Sequence, residues 1–478
     1  MASPASPATL QSPYRLIDTL PEELLAEVFV QWALQDEDAL WMASLVCHQW
    51  RRVVLSCSAA WSAVHVRVPE DMHSKKKQED EEWCVEEEDD GTRGQTRPLD
   101  LWVARAGTAK LCVFVHVRAL ASTVTTIYST IARISPYFDR VQELIVNVDS
   151  PILADALLTV MWDAAPLLLH LTINCLDEFA RKSRSAPNFG ESKPLLPGLW
   201  AALQSAPRLL SLTCIGATPQ KTEGEVSVRS LRSVTIDRAS DMSARQFVDG
   251  LEACSSLESL IVSRCSFDRP NSFYMPTQIV DEETVVVFPF MTRLCLINTK
   301  YDPCSFMEAP RLRTLHINGA MAPTDMSRRR DLGHRMDVIM EAIKKFGEIL
   351  TAFLERGNAI EDLRLESSQL VDDAFLRVLE LAPRLSALQL GDSLADAKAF
   401  AGLARSRNLQ RVGFEACPFL TDKMLVDFIR DKNASELSLP LTEVDVRACP
   451  LVTSSAMVKV YELGGSKLRT HFSPVGNP

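Results

Sequence analysis

Ala382-Pro383-Arg384-Leu385-Ser386-Ala387-Leu388-Gln389-Leu390 carries the phrase on which the fold turns. The same Ala-Pro-x-Leu-x-x-Leu stands at Ala165, Ala206 and Ala309. Proline ends the helix before it, and the alternating apolar residues after it open a strand. Loosened to apolar-x-x-apolar-x-apolar, the phrase starts at Val141, Leu168, Leu209, Leu231, Leu257, Met291, Leu312, Ile360, Leu385, Leu409 and Leu441. Helical faces lie between copies: Phe247, Val248 and Leu251; Phe375, Leu376 and Leu379; Leu425, Phe428 and Ile429. Units of strand, turn and helix predict an α/β solenoid with a parallel sheet on its concave side.

Working outward, Cys265, Cys417 and Cys449 fall eight residues after Leu257, Leu409 and Leu441. A leucine-rich repeat takes Asn or Cys there, so these thiols are expected to be small buried residues at the turn. Cys417-Pro-x-Leu-Thr-Asp422 also resembles the cysteine-containing subclass of these repeats. Successive starts are 21 to 48 residues apart. The long intervals imply insertions near 267–289 and 320–358, the second holding an amphipathic stretch from Met336 to Leu354.

In each strand the first, fourth and sixth positions point into the core, and those between line the concave sheet. They read Arg232, Asp237, Glu258, Arg313, His316, Asp362, Arg364, Glu366, Arg411, Glu415, Glu443, Asp445 and Arg447. Singly, each is an ordinary solvated strand position. As a set they form a mixed-charge surface suited to a protein target, with Arg313, His316, Arg364, Glu366, Arg411 and Glu415 as the candidate target-binding residues.

The N-terminal segment reads differently. Thr19 and Glu22 stand at capping-box spacing, and Pro21 falls in a first helical turn. Leu24, Leu25, Val28, Phe29 and Trp32 then form one apolar stripe. A second short helix, capped by Asp36 or Asp38, carries Leu40, Trp41 and Leu45; a third carries Val46, Trp50, Val53 and Val54. Three short helices cannot bury this much apolar surface among themselves. Either the remaining chain covers the excess, as in a solenoid cap, or a partner does.

Leu20-Pro21-Glu22-Glu23-Leu24-Leu25, then Val28-Phe29, then Leu45-Val46-Cys47-His48-Gln49-Trp50-Arg51-Arg52-Val53 and Trp61 resemble the F-box. The link Gln31 to Asp38 is longer than the family pattern. The resemblance implies a three-helix motif that binds the Skp adaptor of SCF ubiquitin ligases and, through it, a cullin core. It carries over Leu20, Pro21, Leu24, Leu25, Val28, Phe29, Leu45, Val46, Trp50 and Arg51, without separating adaptor contacts from helix-packing residues. With the repeats, the chain resembles an F-box protein with a C-terminal leucine-rich-repeat domain. Leu99-Asp-Leu-Trp102 is similar to the segment after the F-box in many fungal F-box-like proteins.

The expected organisation is a disordered N-terminus over 1–13, an F-box over 14–68, an acidic disordered linker over 69–98 and the solenoid over 99–470. The net charge is −11, of which −8 lies between Glu70 and Asp90. The rest of the chain is nearly neutral and offers no basic face for nucleic acid. After the linker, Leu99 to Trp102 and then Leu111, Val113, Val115 and Val117 alternate like strand.

Twelve scattered cysteines include no C-x-x-C pair, which fits reduced thiols in a cytoplasmic or nuclear protein. The uncharged first residues do not make a signal peptide, and no apolar run is long enough to span a membrane. No H-E-x-x-H, G-x-S-x-G, Walker or G-x-G-x-x-G motif occurs. The eight histidines are dispersed. The chain therefore reads as a non-catalytic adaptor with no cofactor and no metal.

Overall fold

The computed structural model describes residues 20–67, 99–117, 132 and 134–474, apart from 150, 162–164, 176–194, 197–198, 205, 220–227, 240–242, 266, 268–284, 300–301, 320–331, 358, 368–369, 371, 394 and 436–437. Residues 1–13 and the 69–98 linker lie outside that set, as do Thr19, most of the 267–289 insertion and the first part of the 320–358 insertion. Contacts divide the chain into two units, Met1–Asn147 and Val148–Pro478.

In the first unit, α1 (Glu22–Gln35), α2 (Ala39–Val46) and α3 (His48–Ser56) form the expected helices. Pro21 is the N-cap of α1 and makes no side-chain cap bond. The apparent excess length between the first two helices is helical: α1 runs on through Gln35, leaving only Asp36 to Asp38 as a turn in which Asp36 accepts the Asp38 N–H. Cys47 caps α3, its sulfur accepting the Trp50 N–H at 3.5 Å.

β1 (Ala63–Arg67) pairs in parallel with β2 (Leu111–Val117), and β3 (Val141–Val148) comes next to β2 in the sheet. Between the first two strands, Leu99–Ala106 is a helix, α4, where alternation suggested strand. Its buried residues Leu99, Trp102, Val103 and Ala106 keep to 3.6-residue spacing, so one helical face is covered. Trp102 meets Trp61 at 4.8 Å and Trp41 at 6.3 Å between ring centroids. The Arg105 guanidinium lies 4.4 Å from the Trp61 ring centre. The segment after the linker thus completes the core of the first unit.

Among the described residues of the second unit, eleven strands of the large sheet follow in chain order, all parallel: β4 (His170–Cys175), β5 (Ser211–Ile215), β6 (Ser233–Asp237), β7 (Ser259–Ser263), β8 (Arg293–Ile297), β9 (Thr314–Asn318), β10 (Asp362–Glu366), β11 (Ala387–Gly391), β12 (Arg411–Glu415), β13 (Glu443–Arg447) and β14 (Arg469–Ser473). Every start read from the sequence is buried, at 5% exposure or less. β14 has no such start, because its flanking residues are mostly polar.

Helices cover one sheet face. α5 (Pro151–Met161) and α6 (Leu199–Gln204) come first, then α7 (Ala244–Leu251). α9 (Asp372–Leu381), α10 (Ala397–Arg405) and α11 (Asp422–Ala434) come later, and α12 (Ser454–Gly464) is last. Between α7 and α9, α8 (Leu332–Glu355) is the amphipathic stretch of the long interval, with Phe346, Leu350 and Phe353 buried. Phe414 of β12 packs against Phe400 of α10 and Phe428 of α11, at 5.3 and 6.4 Å between centroids. Inward strand positions therefore meet helices, and alternate positions make the open face.

One column ties the repeats together. The residue after a strand is left-handed at Arg238, Arg264, Asn298, Ser367, Asp392, Ala416 and Ala448, with φ between 49° and 56°. Each donates its N–H to the last carbonyl of the next strand, as Arg264 does to Ile297 and Ala416 to Arg447, both at 2.8 Å. Left-handed backbone costs a non-glycine residue about 1–2 kcal/mol. The bond from strand to strand, and burial of the next residue, offset it. Cys265, Cys417 and Cys449 are such next residues, buried as expected, and their sulfurs donate to the Ile236, Leu390 and Phe414 carbonyls of the preceding strands.

Candidate functional site

The structure sorts the ten residues carried over for the adaptor. Leu25 and Phe29 are buried at 1% and 0%, on the inner face of α1. Trp50 is half-buried against Phe29, and Leu20 is half-buried. Leu24, Val28, Leu45 and Val46 are 56%, 49%, 78% and 58% exposed. Pro21 and Arg51 are exposed as well. Two further apolar side chains, Met42 of α2 and Leu55 of α3, are exposed and were not singled out by the motif. Large apolar residues held in water on each of three consecutive short helices are the informative exception to burial, because such surfaces mark interaction sites. Trp61 fixes the frame beneath them: its indole N–H donates to the Val54 carbonyl at 2.7 Å.

In the second unit, five of the six candidate target-binding residues, His316, Arg364, Glu366, Arg411 and Glu415, alternate with the buried positions of β9, β10 and β12 and so lie on the open face, while Arg313 stands just before β9. His316 is in register with Arg364, and Asn318 with Glu366. Arg411 and Glu415 stand on β12, in register with Ala387 and Gly391 of β11. Arg313 precedes β9 and lies 3.9 Å from Glu361. Arg364 is held by Asp362 of its own strand at 3.1 Å. Beyond β12, Arg447 pairs with Asp445 at 2.7 Å.

Asp237 departs from the expected solvated position. It is 5% exposed, because Ser263 donates to its carboxylate at 2.5 Å and Arg264 Nε at 2.8 Å. Burial alone would raise its pKa, but the Arg264 and Ser263 bonds outweigh it and hold the carboxyl below the usual range.

Sequence reading also missed a close group on the same face. Cys295 of β8 is in register with His316 of β9. Arg293 Nε lies 3.4 Å from its sulfur. His316 Nε2 is 3.4 Å from Glu366 Oε1. Asn318 Nδ2 donates to Glu366 Oε2 at 2.6 Å. Strand register alone brings these side chains together, since they lie far apart in the chain.

Among the described residues no cluster of His, Cys, Asp or Glu could hold a metal ion, and no helix is long and apolar enough to cross a membrane. Their eleven cysteines are all free thiols.

Residues 17–67 match the family model described as F-box-like. The chain therefore carries an F-box-like domain, with an α/β repeat body after it. No curated protein matches. Two solved structures are similar to it. The crystal structure of the yeast Rad7 and Elc1 complex matches at 16% identity and TM-score 0.31, covering 73% of this chain and 88% of that one. The TLR13–ssRNA13 complex matches at 11% identity and TM-score 0.27, covering 75% and 54%.

Proposed function

We propose that this chain is a substrate-recognition adaptor of an SCF-type ubiquitin ligase. The F-box-like helices dock on a Skp-type adaptor and so on a cullin core. The repeat body holds a protein target on its open sheet face. The chain performs no bond chemistry; it raises the effective concentration of a target lysine near the ubiquitin-loaded enzyme. It works in the cytoplasm, the nucleus or both.

The observation that carries this reading is the exposure of Leu24, Val28, Leu45 and Val46 inside a segment that matches the F-box-like family. Apolar anchors that enter a groove dominate affinity, while the buried Leu25 and Phe29 hold the helices in shape.

The test is binding of purified Skp adaptor to the full chain and to a Leu24→Asp, Leu45→Asp variant. The expected result is tight binding by the parent, a loss of at least about 100-fold in the variant, and the same thermal melting for both, since two anchor positions each contribute about 2 kcal/mol. A parent chain that does not bind the adaptor removes the ligase reading and leaves a repeat scaffold that binds partners without a ligase.

A further inference from the structure

We infer that Cys295 is a modification site: a thiolate held by Arg293 and His316 on the open sheet face, which small peroxides oxidise to sulfenic acid. This site belongs to the second unit and does not depend on what the F-box-like helices bind.

Three contacts build the site. Arg293 Nε points at the sulfur from two residues upstream on β8, at 3.4 Å. His316 is the in-register neighbour of Cys295 on β9, which sets its imidazole beside the sulfur. Glu366, two strands from Cys295, stands 3.4 Å behind the imidazole and is itself fixed by Asn318 at 2.6 Å. An imidazole between a thiol and an oriented carboxylate is the arrangement that turns a thiol into a nucleophile.

The charge balance agrees with the geometry. Burial pushes the Cys295 thiol up, but the His316 and Arg293 contacts outweigh it and bring it below the ordinary thiol value. The same contact raises His316, with Glu366 adding to it. Cys265 differs: burial pushes it up to about 11, and the neighbouring Arg264 charge offsets this only in part. Sheet position explains the contrast. The Cys265 sulfur faces the Ile236 and Ser263 carbonyls, whereas Cys295 faces a guanidinium and an imidazole.

Access sets the reagent class. Cys295 is 2% exposed, while the Arg293 side chain bonded to it is itself exposed. Movement of the exposed Arg293 side chain is the proposed entry route, and it favours a small peroxide over bulky electrophiles. In the step, the thiolate sulfur attacks one peroxide oxygen, an S–O bond forms and the O–O bond breaks. The imidazolium of His316 gives its proton to the departing hydroxide. Cys295 ends as S–OH, His316 as neutral imidazole, and the peroxide as water.

The experiment treats the folded full chain with hydrogen peroxide between pH 5.5 and 9, then denatures it, traps sulfenate with dimedone and maps it by mass spectrometry. Exposed Cys47 is the internal reference. The expected result is oxidation of Cys295 at least tenfold faster than Cys47 at pH 7, with the midpoint of its rate below that of glutathione. His316→Gln and Arg293→Ala each slow it severalfold, and the first moves the midpoint upward. Oxidation of Cys295 no faster than Cys47, or only after unfolding, overturns the proposal. So does a midpoint at or above that of glutathione in the parent chain, a readout that depends on no variant folding.

Discussion

Phe29 and Trp50 meet edge to face with ring centroids 5.1 Å apart, which joins α1 to α3 across the F-box-like core. Both belong to the family pattern, yet Phe29 is fully buried, so it acts inside the motif. Phe29→Ala is expected to cost about 3–5 kcal/mol, the range for removing a buried phenylalanine. Thermal or urea unfolding of the full chain should show this as an early transition of the first unit. A variant that keeps its melting profile would show that Phe29 does not stabilise that core.

Met42 and Leu55 make the opposite case. They are 54% and 46% exposed, so a charge placed at either stays in water. Met42→Asp should leave the melting temperature unchanged and weaken binding of the Skp adaptor about tenfold to 100-fold, the cost of losing one apolar anchor. Calorimetric titration measures it. Unchanged affinity would confine the docking surface to α1 and the end of α2.

The motif named the right segment but could not distinguish Phe29 from Val28, because a helical stripe this broad spans both the inner and the outer face. Strand positions were easier to read. Each apolar start from Leu168 to Leu441 stands two residues before its strand, since the rule of alternation needs no knowledge of distant residues. Leu99 to Ala106 misled because Leu-Asp-Leu fits alternation and a helical face alike; only the covering tryptophans decide for helix. The Cys295–His316 contact was illegible for a different reason. It depends on the register between two strands, which no local pattern fixes.

The left-handed column was equally hidden, because Arg, Asn, Ser, Asp and Ala occupy it in place of glycine. Ala416 has φ of 51°. Ala416→Gly should therefore stabilise the repeat body by about 0.5–1 kcal/mol, the relief of left-handed strain less the added freedom of the unfolded glycine. Equilibrium urea unfolding checks it, and a destabilised variant would show that the turn is not strained.

Asp237 supplies an acid-dependent contribution. Its folded-state carboxyl sits below the usual range through Arg264 and Ser263. Such a group stabilises the fold above its unfolded pKa of about 3.9, and that stability is lost as pH falls through the folded value. Asp237→Asn should cost about 1–2 kcal/mol at pH 7, the scale of a charge-assisted hydrogen bond to a half-exposed arginine. Near pH 3 the difference from the parent should shrink. Urea midpoints at the two pH values test it, and a gap that stays constant would contradict the carboxylate's role.

Lys432 acts at the other end of the pH scale. The residue is 1% exposed, and its ammonium donates to the Ser406 carbonyl that ends α10. Burial pushes its amine down to about 8. An unfolded lysine titrates near about 10.4, so between those values the unfolded chain binds the extra proton. Stability should therefore rise with pH from about 8 toward about 10.4, against the usual decline of proteins in alkali. Lys432→Met should remove that rise and leave the Ser406 carbonyl without its donor, a penalty of about 1–2 kcal/mol that persists at every pH. Denaturant unfolding of both chains at pH 7.5 and 10 separates the two effects. A parent chain with no alkaline gain would mean that water reaches the ammonium in spite of its burial.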